Sequence, residues 1–492
     1  MARVVVILMA LGLAAAAPAT AKPPVVKRTI GAPGQKVPRS FAGLSIEYQS
    51  VPDYFGAPGK PNQSFFRLLR TLSDAGVGAP VIHIGGNSAD ESWWNPDGRP
   101  RPVGIVTDLT PDWLRMLKAV NEGAGSHFVL GGDLAINDPQ NAVAYVRGAV
   151  AALAPGAVDA FEIGNEPDLY DRPSTFTVGG LTITRIQHRP VGYEMPQYLA
   201  ELGGYLSALN GARQQGWPAV AVGGFARHAW QVRAAEVLQS AGPAAKFFEA
   251  HAYPLNRCRA KNVPADRWRG ALLGSAGLLP VSRMTRLVRD VRSRGVAVRL
   301  AELNTATCGG AQHVSDSFAS ALWAADSLFG LAEAGVAGVN FHTWTGAWYA
   351  PVDFAAGVPR VRPLLYGILL FDRAVPNGAR LLTVKQRRVD PVKVWATRDS
   401  GGAVRVVVIN KGPQKRVVQL ALPRGLGRGT LERLLAHSLA STSGASFGGR
   451  SFERGGFDGR LHGTARRSRV KRKGRSYTFA LPGASAALLT AR

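Results

Sequence analysis

Apolar and polar positions fall into a regular rhythm from Phe41 onward. Short apolar runs end in Gly, Asn, Glu or His, and longer segments with helical spacing separate them. The runs are "FAGLSIEY" (from Phe41), "PVIHIGGNS" (Pro80), "HFVLGGDL" (His127), "AFEIGNEP" (Ala160), "AVAVGGFA" (Ala219), "FFEAHAYP" (Phe247), "VAVRLAELN" (Val296) and "GVNFHTW" (Gly338). Between them, "PNQSFFRLLRTLSDAG" predicts a helix capped by Ser64 and stopped at Gly76. "TPDWLRMLKAVNEGAG" predicts one capped by Thr110 with Pro111 in its first turn. Strands alternating with helices predict parallel βαβ units, and eight such units predict an α/β (β/α)8 barrel. An open doubly wound sheet is the alternative, weakened because no Gly-x-Gly-x-x-Gly turn opens a helix after the first strand.

The rhythm ends after "RPLLYGILLFDRAV" (Arg362 to Val375), which reads as the eighth helix. Beyond it, "LLTVKQ", "VKVWATRD", "AVRVVVINKG", "RVVQLALP", "SYTFALPG" and "ASAALLTA" alternate apolar and polar residues between turns. That pattern predicts an antiparallel β-sandwich. The expected organisation is a signal peptide over 1–21, an N-terminal strand over 22–38 joining the sandwich, a catalytic barrel over 39–376 and the sandwich over 377–492.

Length and composition fit this division. The chain has 492 residues, 46% hydrophobic and 19% charged, enough for two cores. Arg3, the apolar run Val4 to Ala17 and the small residues Ala19-Thr20-Ala21 predict a cleaved secretory signal and a secreted protein without stable membrane insertion. Cys258 and Cys308, the two cysteines, can then pair or remain free buried thiols. The net charge of +26 favours polyanionic partners. "ARRSRVKRKGR" (Ala465 to Arg475) holds seven basic residues of its eleven. It reads as a solvated loop or edge hairpin, with an acidic partner as the functional alternative. No nucleic-acid motif accompanies the charge, and none for a metal or cofactor is evident; oligomeric state is left open.

In a parallel barrel, chemistry gathers where strands end. Here those ends carry carboxylates, amides and aromatics, a set suited to sugars. Glu166 closes the fourth strand and Glu302 the seventh. Cleaving a glycosidic bond takes a protonated carboxyl for the leaving oxygen and an ionised carboxylate on the other face of the sugar. Asn165 is placed to hold a sugar hydroxyl. Tyr253 is placed either to donate to an ionised carboxylate or to cap the sixth strand. Glu162 lies deeper in the fourth strand and reads as scaffold.

"GLSIEY", "IGGNSAD", "EIGNEPDLY", "HAYP", "AELNTATCGG" and "RPLLYGILLF", in that order, resemble glycoside hydrolase family 79, the β-glucuronidase and heparanase family. The resemblance runs over nearly all of the mature chain. It implies a retaining glycosidase without cofactor, with Glu166 as general acid/base and Glu302 as nucleophile. Glu47, Asn87 and Gly309 then match positions facing the sugar, with the Gly309 loop holding its carboxylate through backbone N–H groups. A disulfide between Cys258 and Cys308 would fix that loop. His83 departs from the pattern, standing where many such enzymes carry Arg. The expected activity is that of an exo-acting β-D-glucuronidase on glucuronides or acidic oligosaccharides. An endo-acting heparanase-like enzyme and a non-catalytic binder of acidic polysaccharide are the alternatives.

Overall fold

A computed structural model describes residues 23–492 apart from Val77 and Lys261. The expected signal peptide lies outside the described residues. The eight apolar runs form a closed parallel barrel. In chain order its strands are Ala42–Glu47, Ile82–Gly85, Phe128–Gly132, Val158–Ile163, Ala219–Phe225, Ala245–Ala252, Ala297–Leu303 and Gly338–Thr343, called strands one to eight below. Strand eight closes on strand one, with Val339 beside Ala42 and Thr343 beside Ile46. Nearly every residue of these strands is buried, as expected where helices cover the outer face of a parallel sheet.

The helix caps show how local chemistry sets the boundaries. Thr110 accepts the Trp113 N–H at 3.2 Å, with Pro111 following in the first turn. The first long helix, Gln63–Ala75, is capped two residues earlier than expected. Asn62 Oδ1, not Ser64, accepts the Phe65 N–H at 3.2 Å. An amide oxygen in extended backbone reaches that donor, whereas Ser64 already lies inside the helix. The loop after strand three is followed by a helix, Pro139–Ala152, and that after strand five by Ala234–Ala241. Neither was singled out from the sequence.

The C-terminal strands form a sandwich that the N-terminal strand, Val25–Lys36, joins. Residues Val25 to Thr29 run parallel to Val417–Ala421, while Ile30 to Lys36 pair antiparallel with Val384 to Arg380. One strand thus passes from one sheet to the other, a usual way of turning a sandwich corner. The sandwich docks on the barrel through Trp395, whose ring stacks on Phe329 with centroids 5.6 Å apart. Its indole N–H donates to Asp326 at 2.7 Å, so the buried nitrogen is satisfied. No helix among the described residues is long and apolar enough to cross a membrane.

Candidate active site

Glu166 lies just beyond strand four, in the turn before Pro167, with an unusual backbone. Its φ of 45° and ψ of 48° are left-handed, and it precedes Pro167, which favours extended conformations in its neighbour. Such a residue costs on the order of 1–3 kcal/mol, held by the surrounding structure. Here the Glu166 N–H donates to Gly224 O at 3.0 Å, tying the turn to strand five. Asp168 adds a second tie, accepting from the Ala226 and Arg227 amides at 3.1 and 2.6 Å. The strained turn aims the Glu166 side chain into the barrel mouth, toward His251.

Glu302, near the end of strand seven, faces Glu166 there. One oxygen of each, together with a ring nitrogen of His251, lie within 4.8 Å of one another. His251 Nδ1 is 3.0 Å from Glu166 Oε1 and 3.5 Å from Glu302 Oε2. Burial disfavours a charged imidazole, but the carboxylates of Glu302 and Glu166 outweigh it and push the His251 pKa up to about 10. Burial likewise acts to raise Glu166, but His251 and then Arg185 hold it below the usual carboxylate range. At neutral pH the site therefore carries a proton on His251 beside an ionised Glu166.

Glu302 is anchored from the other side. Tyr253 donates to its Oε2 at 2.6 Å, and His342 Nδ1 lies 3.4 Å from the same oxygen. The hydroxyls of Tyr253 and Tyr349 both meet His342 Nδ1 at 2.8 Å. His342 Nε2 reaches Glu47 Oε1 at 3.1 Å. Glu47 also accepts from the Asn87 and Ser88 amides, at 3.2 and 2.8 Å. Its carboxyl is acidified: burial acts to raise it, but His342 and Ser88 prevail. Glu47 thus links strands one, two and eight through Ser88 and His342. Asn165 Nδ2 is 3.4 Å from Asn87 Oδ1, and its own Oδ1 is buried with no hydrogen-bond partner among the described residues.

His83 does not reach Glu302. It lies under the site, with Nδ1 2.8 Å from Ser45 Oγ and Nε2 2.7 Å from Glu162 Oε2. Burial lowers its pKa to about 4, so it is neutral. The positive charge beside the two carboxylates belongs to His251 instead. Glu162 is buried beneath the mouth, where burial raises its pKa to about 7, and Glu249 beside it is raised to about 8 for the same reason. Two triads, His83–Glu162–Glu249 and Glu166–His251–Glu302, have donor spacing compatible with a metal ion. His83–Glu162 and His251–Glu166 instead hydrogen-bond directly.

A wall rises on one side of the mouth. Ser174–Val178 and Leu181–Arg185 form a hairpin after strand four, turning at Gly179-Gly180. Val178, with the half-buried Phe176 and Ile183, packs on Trp344, Ala347 and Tyr349 of the segment after strand eight. A Cβ on Gly179 would lie 2.6 Å from Gly346 O, so only glycine permits this approach. Arg257 braces the wall, donating to Thr177 O at 2.9 Å and to Cys308 O at 2.8 Å. Cys308 is bonded to Cys258, 50 residues away in sequence. Closing a loop of that size removes unfolded-state entropy worth up to about 4 kcal/mol. Gly309 follows with φ 75°, where a Cβ would strike Val178 and Trp344. Its N–H finds no acceptor among the described residues.

Arg185, at the end of the hairpin, was not anticipated. It is 7% exposed, and its Nη1 lies 3.3 Å from Glu166 Oε2. Its signal was nonetheless present: "TFTVGGLTITR" alternates around a Gly-Gly pair, a hairpin pattern. His251 and His342 stand in the apolar runs "FFEAHAYP" and "GVNFHTW", but their ties to the carboxylates come from the three-dimensional arrangement.

The fold is that of (β/α)8-barrel glycosidases carrying a β-sandwich. It resembles a 4-O-α-L-rhamnosyl-β-D-glucuronidase from Fusarium oxysporum 12S with a TM-score of 0.73 and 16% identity, over 94% of this chain and 100% of that one. A GH51 arabinofuranosidase from Xanthomonas axonopodis pv. citri gives a TM-score of 0.69 and 16% identity, over 95% and 99% of the two chains. At the level of sequence the likeness is narrower. A β-glucuronidase from Aspergillus niger is 30% identical over 155 residues, which are 28% of this chain and 29% of the relative. One from Neurospora crassa is 28% identical over 155 residues, 28% of this chain and 27% of the relative. The match thus spans under a third of these curated relatives. No protein-family model matches the chain.

Proposed function

We propose that this chain is a secreted retaining glycoside hydrolase, an exo-acting β-D-glucuronidase that releases glucuronic acid from glucuronides or uronate-bearing glycans. The observation that carries the reading is the opposed pair Glu166 and Glu302, with carboxylate oxygens within 4.8 Å. A separation of about 5–5.5 Å between the carboxyl groups suits direct attack on the sugar, whereas inverting enzymes leave room for water.

In this mechanism Glu302 attacks the anomeric carbon while Glu166 protonates the departing glycosidic oxygen. Glu166 then takes a proton from water, which displaces Glu302 with net retention. Tyr253, donating at 2.6 Å, holds the Glu302 carboxylate oriented. The proton needed by Glu166 resides on His251 Nδ1, 3.0 Å away, and passes across that hydrogen bond as the leaving oxygen arrives. Asn165 and Asn87 hold sugar hydroxyls, and the Gly309 N–H meets the uronate carboxylate. The hairpin wall, packed on the segment after strand eight, supports exo action by closing one side of the mouth.

Chromogenic glycosides test the substrate assignment. Rapid release is expected from the β-glucuronide, with the glucoside, galactoside, xyloside and arabinofuranoside nearly inert. Cleavage of a neutral sugar with the glucuronide untouched would overturn it.

The proton's location predicts a pH signature. Wild-type activity should persist far into alkaline pH, because the proton is lost only as pH rises through the raised His251 pKa. In His251→Gln the proton must sit on Glu166 itself, and a carboxyl gives it up at lower pH. The alkaline limb of kcat/KM should move down by roughly two or more pH units, in line with general-acid behaviour. An unmoved limb would show that His251 does not hold the catalytic proton.

A further inference from the structure

The basic run at Ala465 to Arg475 has no part in the barrel mouth, yet the structure gives one of its members a place. Arg467 lines a groove of about 600 Å³ between barrel and sandwich. Arg373, Arg405, Arg428, Arg450 and Arg492 line it too, with the acidic side chains of Asp74 and Glu432. Asp74 and Arg373 lie near the C-terminal ends of the helices Gln63–Ala75 and Leu364–Ala374. Barrel helices run back against their strands, so those ends lie away from the catalytic mouth.

The acids do not balance this charge. Arg373 and Arg467 share one oxygen, Glu432 Oε1, at 3.5 and 3.3 Å. Arg405 is paired with Asp399 at 2.6 Å. Among the described residues Arg428, Arg450 and Arg492 have no ion-pair partner, and Arg450 Nε is buried without a hydrogen bond. Burial lowers the Arg373 pKa, and the charges of Arg450 and Arg467 lower it further. Guanidiniums crowded in a concave site focus a positive potential and select anionic ligands. Among the described residues no aromatic side chain lines the groove for base stacking, whereas Thr430 and Thr490 offer hydroxyls suited to sugars.

We propose that this groove is a second, non-catalytic binding site for an acidic polysaccharide, whose carboxylate or sulfate groups are held by Arg428, Arg450 and Arg492. Its choice of a glycan rests on the glucuronidase reading. The barrel mouth works on a chain end while the groove keeps the enzyme on the polymer.

The test uses the full mature chain and polygalacturonate of defined length, at about 0.1 M salt where exposed charges remain effective over a Debye length. Arg428→Gln, Arg450→Gln and Arg492→Gln combined should weaken binding about tenfold, the scale of three exposed charge contacts. Hydrolysis of a nitrophenyl glucuronide should stay unchanged, which also reports an intact fold. A control with the same loss of charge, Lys415→Gln, Lys471→Gln and Lys473→Gln, lies outside the groove and should bind as wild type. Equal weakening in both variants would assign binding to net charge and overturn the site. Tighter, groove-dependent binding of a single-stranded oligonucleotide would overturn the glycan assignment. Loss of polygalacturonate binding in a chain inactive on every glucuronide would leave the groove standing and refute the catalytic reading alone.

Discussion

Glu302→Gln should lower kcat on a chromogenic β-glucuronide by roughly 10⁴- to 10⁶-fold, the scale on which removal of a covalent nucleophile acts. The amide keeps the shape of the carboxylate but cannot attack the anomeric carbon. It can still meet the Tyr253 hydroxyl and the imidazole of His342, so thermal unfolding should stay close to wild type. The loss should appear in kcat and kcat/KM together, because the missing interaction exists only along the reaction path. With a fluorinated glucuronide that traps the intermediate, wild-type protein should gain one sugar at Glu302 by peptide mass and the variant none. Near wild-type turnover in Glu302→Gln would refute the assigned mechanism.

Glu166→Ala should show a different signature, because a general acid matters in proportion to how much the leaving group needs a proton. Poor alkoxide leaving groups should lose about 10²- to 10⁴-fold, the range for general acid–base catalysis. An activated nitrophenol needs little help to depart, so its first step should be far less affected, leaving the glycosyl-enzyme to accumulate. Azide, which needs no general base, should enter the space left by the carboxylate and restore turnover, giving a β-glycosyl azide. That configuration follows from two displacements at one carbon. An α-azide, or equal losses for all leaving groups, would contradict the role given to Glu166. Removing Glu166 also frees Arg185, 3.3 Å from its Oε2, while the left-handed backbone stays as costly for alanine as for glutamate.

The architecture was legible in the chain because its signals are periodic. Eight apolar runs each ended in polar residues, and the structure makes each of them a barrel strand. Caps were less legible. Ser64 and Asn62 are both good N-caps, and only the observed backbone selects Asn62. Glu166 and Glu302 could be nominated because each ends a strand, and a strand end in a barrel has a fixed direction. What stayed hidden depends on side chains meeting from distant segments. Arg185 approaches Glu166 only because a hairpin folds back over the mouth, and His83 turns toward Glu162 because the two meet inside the barrel. Whether His251 is charged depends on two carboxylates from strands four and seven.

The N-terminal strand carries a consequence for how such a chain matures. Val25 is beside Val417 and Thr29 beside Ala421, so this strand cannot complete its sheet until a segment far later in the chain has been made. Until then its edge is unpaired and one sheet of the sandwich lacks a member. Pairing over so long a sequence separation is slow, because closing the loop costs entropy before contacts repay it.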